Sequence, residues 1–145
     1  MIKLESSVVI NRPIEEVFEF ADNPENEPLW QQATQEAELS SKGPMGVGTT
    51  LRRVTRFLGR TIESTSEVTE YEVSRKRGGR STSGPMPYEF VEIYESVEGG
   101  TKITATGQID VGGFFKLAEP VIARMAKRQQ EASFANLKDL LEAQG

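Results

Sequence analysis

A guanidinium and a carboxylate, Arg53 and Glu92, each fall at an inward position of a strand-like segment whose neighbours on the same face are apolar or small. A charge on such a face is costly unless something pairs with it, so these two positions are where specific chemistry is expected. An inward arginine can grip a carboxylate or enolate with two parallel hydrogen bonds, and an inward glutamate can move a proton beside a carbonyl. Two structural roles stay open for Arg53: a pair with Glu92, or a rim position with its stem covered and its head in water. Thr55, Ser64 and Ser66 share the face with Phe57, Ile62, Phe90 and Tyr94. Hydroxyls scattered over a mostly apolar surface are the lining expected of a ligand cavity, unless they lie at a wet sheet rim.

Turn chemistry decides which side chains point inward. Leu58-Gly59-Arg60-Thr61 fits a two-residue hairpin with Gly59 at its first central position. That register sets Leu51, Arg53, Thr55 and Phe57 against Val68, Ser66, Ser64 and Ile62. The opposite face then pairs Arg52 with Glu67 and Arg56 with Glu63, as a watered surface would. Around Glu98-Gly99-Gly100-Thr101 a two- or four-residue loop brings Glu92 opposite Gly107, with Tyr88, Phe90 and Tyr94 on the same face. A three-residue loop would exchange the faces and send Val91 and Ile93 inward instead.

The elements that carry these residues follow from periodicity. Residues 2–10 alternate as a half-buried strand with Ile2, Leu4, Ser6, Val8 and Ile10 on one side. Asn11-Arg12-Pro13 supplies a cap candidate and a first-turn proline for a short helix carrying Ile14, Val17, Phe18 and Ala21. Asp22-Asn23-Pro24 stops it and, with Asn23 as cap, starts a second short helix that ends near Leu29 and Trp30. Residues 33–41 read as a weak polar strand. Segments 48–58, 61–71, 73–83, 88–97 and 101–111 then form an antiparallel meander, rich in Thr, Val, Ile, Tyr and Phe between Gly and Pro turns. Pro120 opens a closing helix of about 24 residues, roughly 36 Å long, enough to cross a small domain. Its stripe is read as Val121, Ile122, Met125, Gln129, Ala132, Leu137, Leu140 and Leu141.

At 145 residues without a fixed repeat, one domain over 1–145 is expected. The absence of cysteine and histidine excludes disulfides, thiolate metal sites, thiol nucleophiles and imidazole bases, so acid–base work would fall to carboxylates, lysine or tyrosine. No metal or other cofactor is expected. Net charge is -5, spread as about -7 over residues 1–40, +5 over 41–80 and -3 over the rest. The basic middle, with Arg52, Arg53, Arg56, Arg60, Arg75, Lys76, Arg77 and Arg80, reads as a solvated sheet face. It lacks the interleaved aromatics of a single-strand nucleic-acid binder. Neither a signal peptide nor a membrane span is apparent, which suggests a cytoplasmic protein.

Several of these features coincide in one known pattern. Val8-Val9-Ile10 followed by Asn11 to Phe18, then Trp30, Gly59, Gly84-Pro85, Gly99-Gly100-Thr101 and the closing helix resemble the SRPBCC or START-like superfamily, in its polyketide cyclase/dehydrase branch, over essentially the whole chain. The resemblance implies an α+β helix-grip fold: a curved seven-stranded antiparallel sheet around a long C-terminal helix, with two short helices after the first strand and a hydrophobic cavity between. It also implies a small hydrophobic molecule, such as a lipid or polyketide, as partner. Trp30, Phe57, Phe90, Tyr94, Phe114 and Met125 would hold its body, and Ser64, Ser66 and Arg53 its polar end. The alternative is a cyclase- or dehydratase-like enzyme in which Glu92 moves a proton and Arg53 or Tyr94 steadies the oxyanion. A third class, an interaction module using the outer sheet face, is disfavoured because its charges already pair. A homodimer through another surface stays open.

Overall fold

The computed structural model describes residues 1–57 and 59–144, with 113–115 described by backbone alone. Seven strands form one antiparallel curled half-barrel sheet: β1 (Ile2–Ile10), β2 (Thr34–Leu39), β3 (Thr50–Phe57), β4 (Arg60–Glu72), β5 (Lys76–Ser83), β6 (Tyr88–Val97) and β7 (Gly100–Ile109). Their order across the sheet is β1-β7-β6-β5-β4-β3-β2, so β1 closes back onto the last strand and the other neighbours are consecutive hairpins. Between β1 and β2 lie α1 (Ile14–Asp22), a 3-10 turn (Pro24–Asn26) and α2 (Glu27–Trp30). A second 3-10 turn (Gly113–Ala118), not foreseen in the sequence, leads into the long helix α3 (Glu119–Ala143). This is the α+β helix-grip architecture. None of the helices is long and apolar enough to cross a membrane among the described residues.

The curl has a local cause. Register shifts leave one extra residue each on β5 (Thr82), β4 (Thr69) and β2 (Gln35), and these bend and twist those strands. The concave face this produces receives α3, which packs along β1 and buries Ile122, Ala126, Ser133, Phe134, Leu137 and Leu141. The far end of α3 is clasped to the β1–α1 turn. Arg12 donates Nε to the Leu141 carbonyl at 3.0 Å, and the Asn11 amide donates to Glu142 at 2.9 Å. Asn11 therefore serves this junction and does not cap α1, whose cap position is Pro13, without a side-chain hydrogen bond. Asn23 does cap the next turn, accepting from the Glu25 amide at 3.0 Å.

Both hairpin registers differ from the expected ones by two residues. Arg53 lies opposite Ser64 and Leu51 opposite Ser66, while Glu92 lies opposite Ala105 and Phe90 opposite Gly107. The reason is where glycine sits: Gly59 (φ 76) and Gly99 (φ 84) take the second central position of their turns, the one with left-handed backbone. Leu58, which the expected hairpin used as a flanking residue, lies outside the described residues. A two-residue slip leaves every side chain on its original face, because strand side chains alternate with period two. Arg53 and Glu92 accordingly face inward, and Val91 and Ile93 do not replace Glu92. On the outer face the expected Arg52–Glu67 and Arg56–Glu63 pairings give way to Arg52 bridging Glu63 at 2.8 Å and Glu38 at 3.2 Å.

Two apolar clusters result. One gathers Ile10, Phe18, Trp30, Tyr94, Phe134 and Leu137, and the other Ile2, Val111 and Ile122 with Leu4, Phe57 and Ile109 packed against them.

Candidate functional site

Between the concave sheet face and α3 lies a cavity of about 300 Å³. The sheet contributes Phe57, Ile62, Ser64, Phe90, Gly107 and Ile109 to its wall, and α3 contributes Ile122, Ala126, Gln129 and Ser133. Small residues on both sides, Ala105 and Gly107 on β7 and Ala126 on α3, leave the space that larger side chains would fill. Four charged groups also reach it: Glu27, Arg53, Arg77 and Glu92.

These four form two ion pairs. Arg53 turns its fork onto Glu27 of α2, Nε to Oε2 at 2.7 Å and Nη2 to Oε1 at 3.1 Å, and donates Nη1 to the Ser66 hydroxyl at 2.7 Å. Arg77 of β5 lies directly across from Glu92 of β6 and donates Nε to its Oε1. Its Nη1 donates to the Ala21 carbonyl at the end of α1, at 2.9 Å, and comes within 3.9 Å of Asp22. The Tyr94 hydroxyl donates to the same Glu92 oxygen at 2.8 Å, and Tyr71 donates to Asp22 at 2.6 Å. The Phe90 ring lies 6.0 Å from the Arg77 guanidinium. The cluster thus ties α1 and α2 to the middle of the sheet.

Burial opposes charge on Arg53, but Glu27 more than offsets it, so the guanidinium is held above its ordinary value. The same opposition at Arg77, with Glu92 as the main counter-charge, holds it well above. Burial pushes the Tyr94 phenol well up, and the charge of Glu92 pushes it further. For Tyr71 burial leads and the hydrogen bond to Asp22 adds to it, again upward. At neutral pH the cluster therefore holds two cations and neutral phenols.

Of the residues singled out in the sequence, Arg53, Phe57, Ser64, Phe90 and Glu92 line the cavity. Ser66 is buried behind Arg53 and orients it. Tyr94 is core, edge-on to Phe18, and reaches the site through its hydroxyl. Trp30 is core as well, stacked on Phe134 with ring centroids 6.4 Å apart. The expected α3 stripe holds at Ile122, Leu137 and Leu141, which are buried, but not at Val121, 56% exposed, or Met125, 42% exposed. In place of Met125 the inward residue is Ala126, one residue, about 100°, further on. The Phe114 side chain lies outside the described residues. Arg53 and Glu92 do not pair with each other.

Glu27 and Arg77 were missed as site residues. Arg77 was read as part of a solvated basic face, but its side chain is only 10% exposed. The signal that could have found it is alternation within Arg75-Lys76-Arg77: Lys76 pairs with Glu70 outside at 2.6 Å, which turns Arg77 inward. For Glu27 the available signal is its position three residues before the buried Trp30, on the same side of a helical turn.

The whole length of this arrangement has counterparts. A family model described as polyketide cyclase/dehydrase and lipid transport matches residues 1–142. Among solved structures, the protein TTHA0849 from Thermus thermophilus superposes with a TM-score of 0.85 at 18% identity, covering 99% of each chain. A START superfamily protein from Mycobacterium smegmatis gives 0.80 at 12% identity over 100% of both chains. The ZhuI aromatase/cyclase from Streptomyces sp. R1128 gives 0.77 at 14% identity, covering 97% of this chain and 93% of the other. At such identities these likenesses establish the fold alone. No curated protein matches the chain. The sequence match over nearly every residue is what places it: the chain belongs to the polyketide cyclase/dehydrase and lipid transport family.

Proposed function

We propose that this protein is a single-domain carrier of a small, largely apolar molecule, held in the cavity between the sheet and α3 and working in the cytosol. The observation that carries the reading is the cavity itself, about 300 Å³ with apolar side chains on both walls and the polar groups gathered where α2, β3, β5 and β6 meet. That volume is at the small end of the roughly 300 to 1,000 Å³ typical of ligand sites. Phe57, Phe90, Ile109 and Ile122 would contact the body of the guest. Ser64, Arg53 and Glu92 would meet its polar end. Trp30, Tyr94 and Ser66 act through the residues they hold, and Met125 takes no part. The family's description, which includes lipid transport, and the aromatase/cyclase among the similar structures support a ligand of this kind. Binding is favoured over proton transfer because one oxygen of Glu92 already accepts from two protein donors.

The test is extraction of the purified protein with organic solvent, followed by mass spectrometry, on the wild type and on Ala126→Phe. Ala126 is buried on the cavity wall, so a phenyl ring there would occupy the space directly. An apolar compound should leave the wild type and be absent from the variant. A variant that folds and carries the same compound in the same amount would remove the cavity from the explanation.

A further inference from the structure

The charged end of the cavity carries information about the guest that the apolar walls do not. An arginine facing a cavity usually suggests an anionic ligand, since its fork matches a carboxylate or phosphate. Here the Arg53 fork is already engaged, and Arg77 keeps only Nη2 without a hydrogen-bond partner among the described residues. Arg53 uses Nε and Nη2 on the two oxygens of Glu27 and Nη1 on Ser66. Arg77 uses Nε on Glu92 and Nη1 on the Ala21 carbonyl. Three carboxylates, Asp22, Glu27 and Glu92, stand against these two guanidiniums, and the phenols of Tyr71 and Tyr94 contribute no positive charge.

We propose, resting on the cavity-binding reading above, that the site selects uncharged guests whose polar end is a hydroxyl, ketone or amide, and rejects carboxylates, sulfates and phosphates. An entering anion would give up its water, find the Arg53 fork closed and only Nη2 of Arg77 open, and approach a cluster whose three carboxylates outnumber its two cations. To gain the Arg53 fork it would have to displace Glu27, itself 5% exposed and bonded through both oxygens. A neutral carbonyl or hydroxyl faces neither cost. It can accept one of the remaining guanidinium hydrogens or donate to a carboxylate oxygen.

Calorimetric titration of naphthoate, its near-isosteric amide naphthamide, and naphthol separates the cases, because the three differ in charge far more than in size. The amide and naphthol should bind the wild type, and naphthoate should bind about tenfold or more weakly, the worth of one unmade charge-assisted hydrogen bond. Glu27→Gln keeps the shape of the site and frees the Arg53 fork, so it should tighten naphthoate by about tenfold or more while leaving naphthamide within about threefold. Naphthoate binding the wild type as tightly as naphthamide overturns the selectivity, whether or not Glu27→Gln folds. A folded Glu27→Gln with an unchanged ratio does the same. Binding by none of the three overturns the cavity reading itself.

Discussion

Arg77 is the side chain on which the site's integrity most depends, and its removal should be among the most damaging single changes in the protein. Its side chain is 10% exposed and that of Glu92 is 5%, which puts the pair in the buried regime, not the surface one where an ion pair contributes about 0 to 1 kcal/mol. Arg77→Met keeps the stem and deletes the charge. It leaves Glu92 in the core without its cation and the Ala21 carbonyl without its donor, so the expected loss is about 3 to 5 kcal/mol. For a chain of this size that corresponds to a fall in Tm of roughly 10 °C or more. The diagnostic step is the double variant Arg77→Met with Glu92→Gln. The amide still accepts from Tyr94, and the stranded charge is gone, so the double variant should be about 2 kcal/mol more stable than the single one. Urea unfolding of wild type, both singles and the double measures the coupling directly. A single variant that costs under about 1 kcal/mol, or a double no more stable than Arg77→Met, would refute the claim that the penalty comes from an uncompensated buried carboxylate.

Other consequences are smaller in scope. Leu137 is fully buried where α3 meets the sheet, so Leu137→Ala should cost about 2 to 5 kcal/mol, whereas Met125→Ala on the exposed side should stay within about 0.5 kcal/mol; equal losses in chemical denaturation would mean the inward face of α3 is misassigned. Tyr71 and Tyr94 both have phenol pKa values raised in the folded state. The folded protein therefore holds their protons at pH values where the unfolded chain releases them, and stability should be unaffected by these groups below about pH 10 and fall above it. Urea midpoints measured from pH 8 upward should show that decline, and phenolate absorbance from these two residues should appear only as the chain unfolds.

What the sequence revealed and what it hid divide along the range of the forces involved. The α+β class, the seven strands and the long closing helix were legible because alternation and helical spacing are local, and Gly59, Gly84 and Gly99 punctuate the chain where strands turn. The inward placement of Arg53 and Glu92 survived an error in both hairpin registers, because each error was two residues and side chains alternate with the same period. The β4–β5 turn offered no such marker. Its left-handed residue is Ser74 (φ 61), not a glycine, so the register of β5 and the inward turn of Arg77 were not anchored by any residue type.

Ion-pair partners were the least legible feature, and the reason is geometric. Glu27 precedes Arg53 by 26 positions and reaches it only because α2 folds across the concave face; Arg77 meets Glu92 only because β5 and β6 are neighbours. Neither fact has a local signature. Yet these partners change the chemistry: with Arg53 alone on the inner face, an anionic guest is the natural reading, and with Glu27 closed over its fork the same arginine becomes part of a neutralised wall. Selectivity in this cavity is therefore set by α2, an element of four residues with no wall of its own beyond Glu27. Substitutions at Glu27 should alter which ligands enter far more than how tightly the apolar walls hold them.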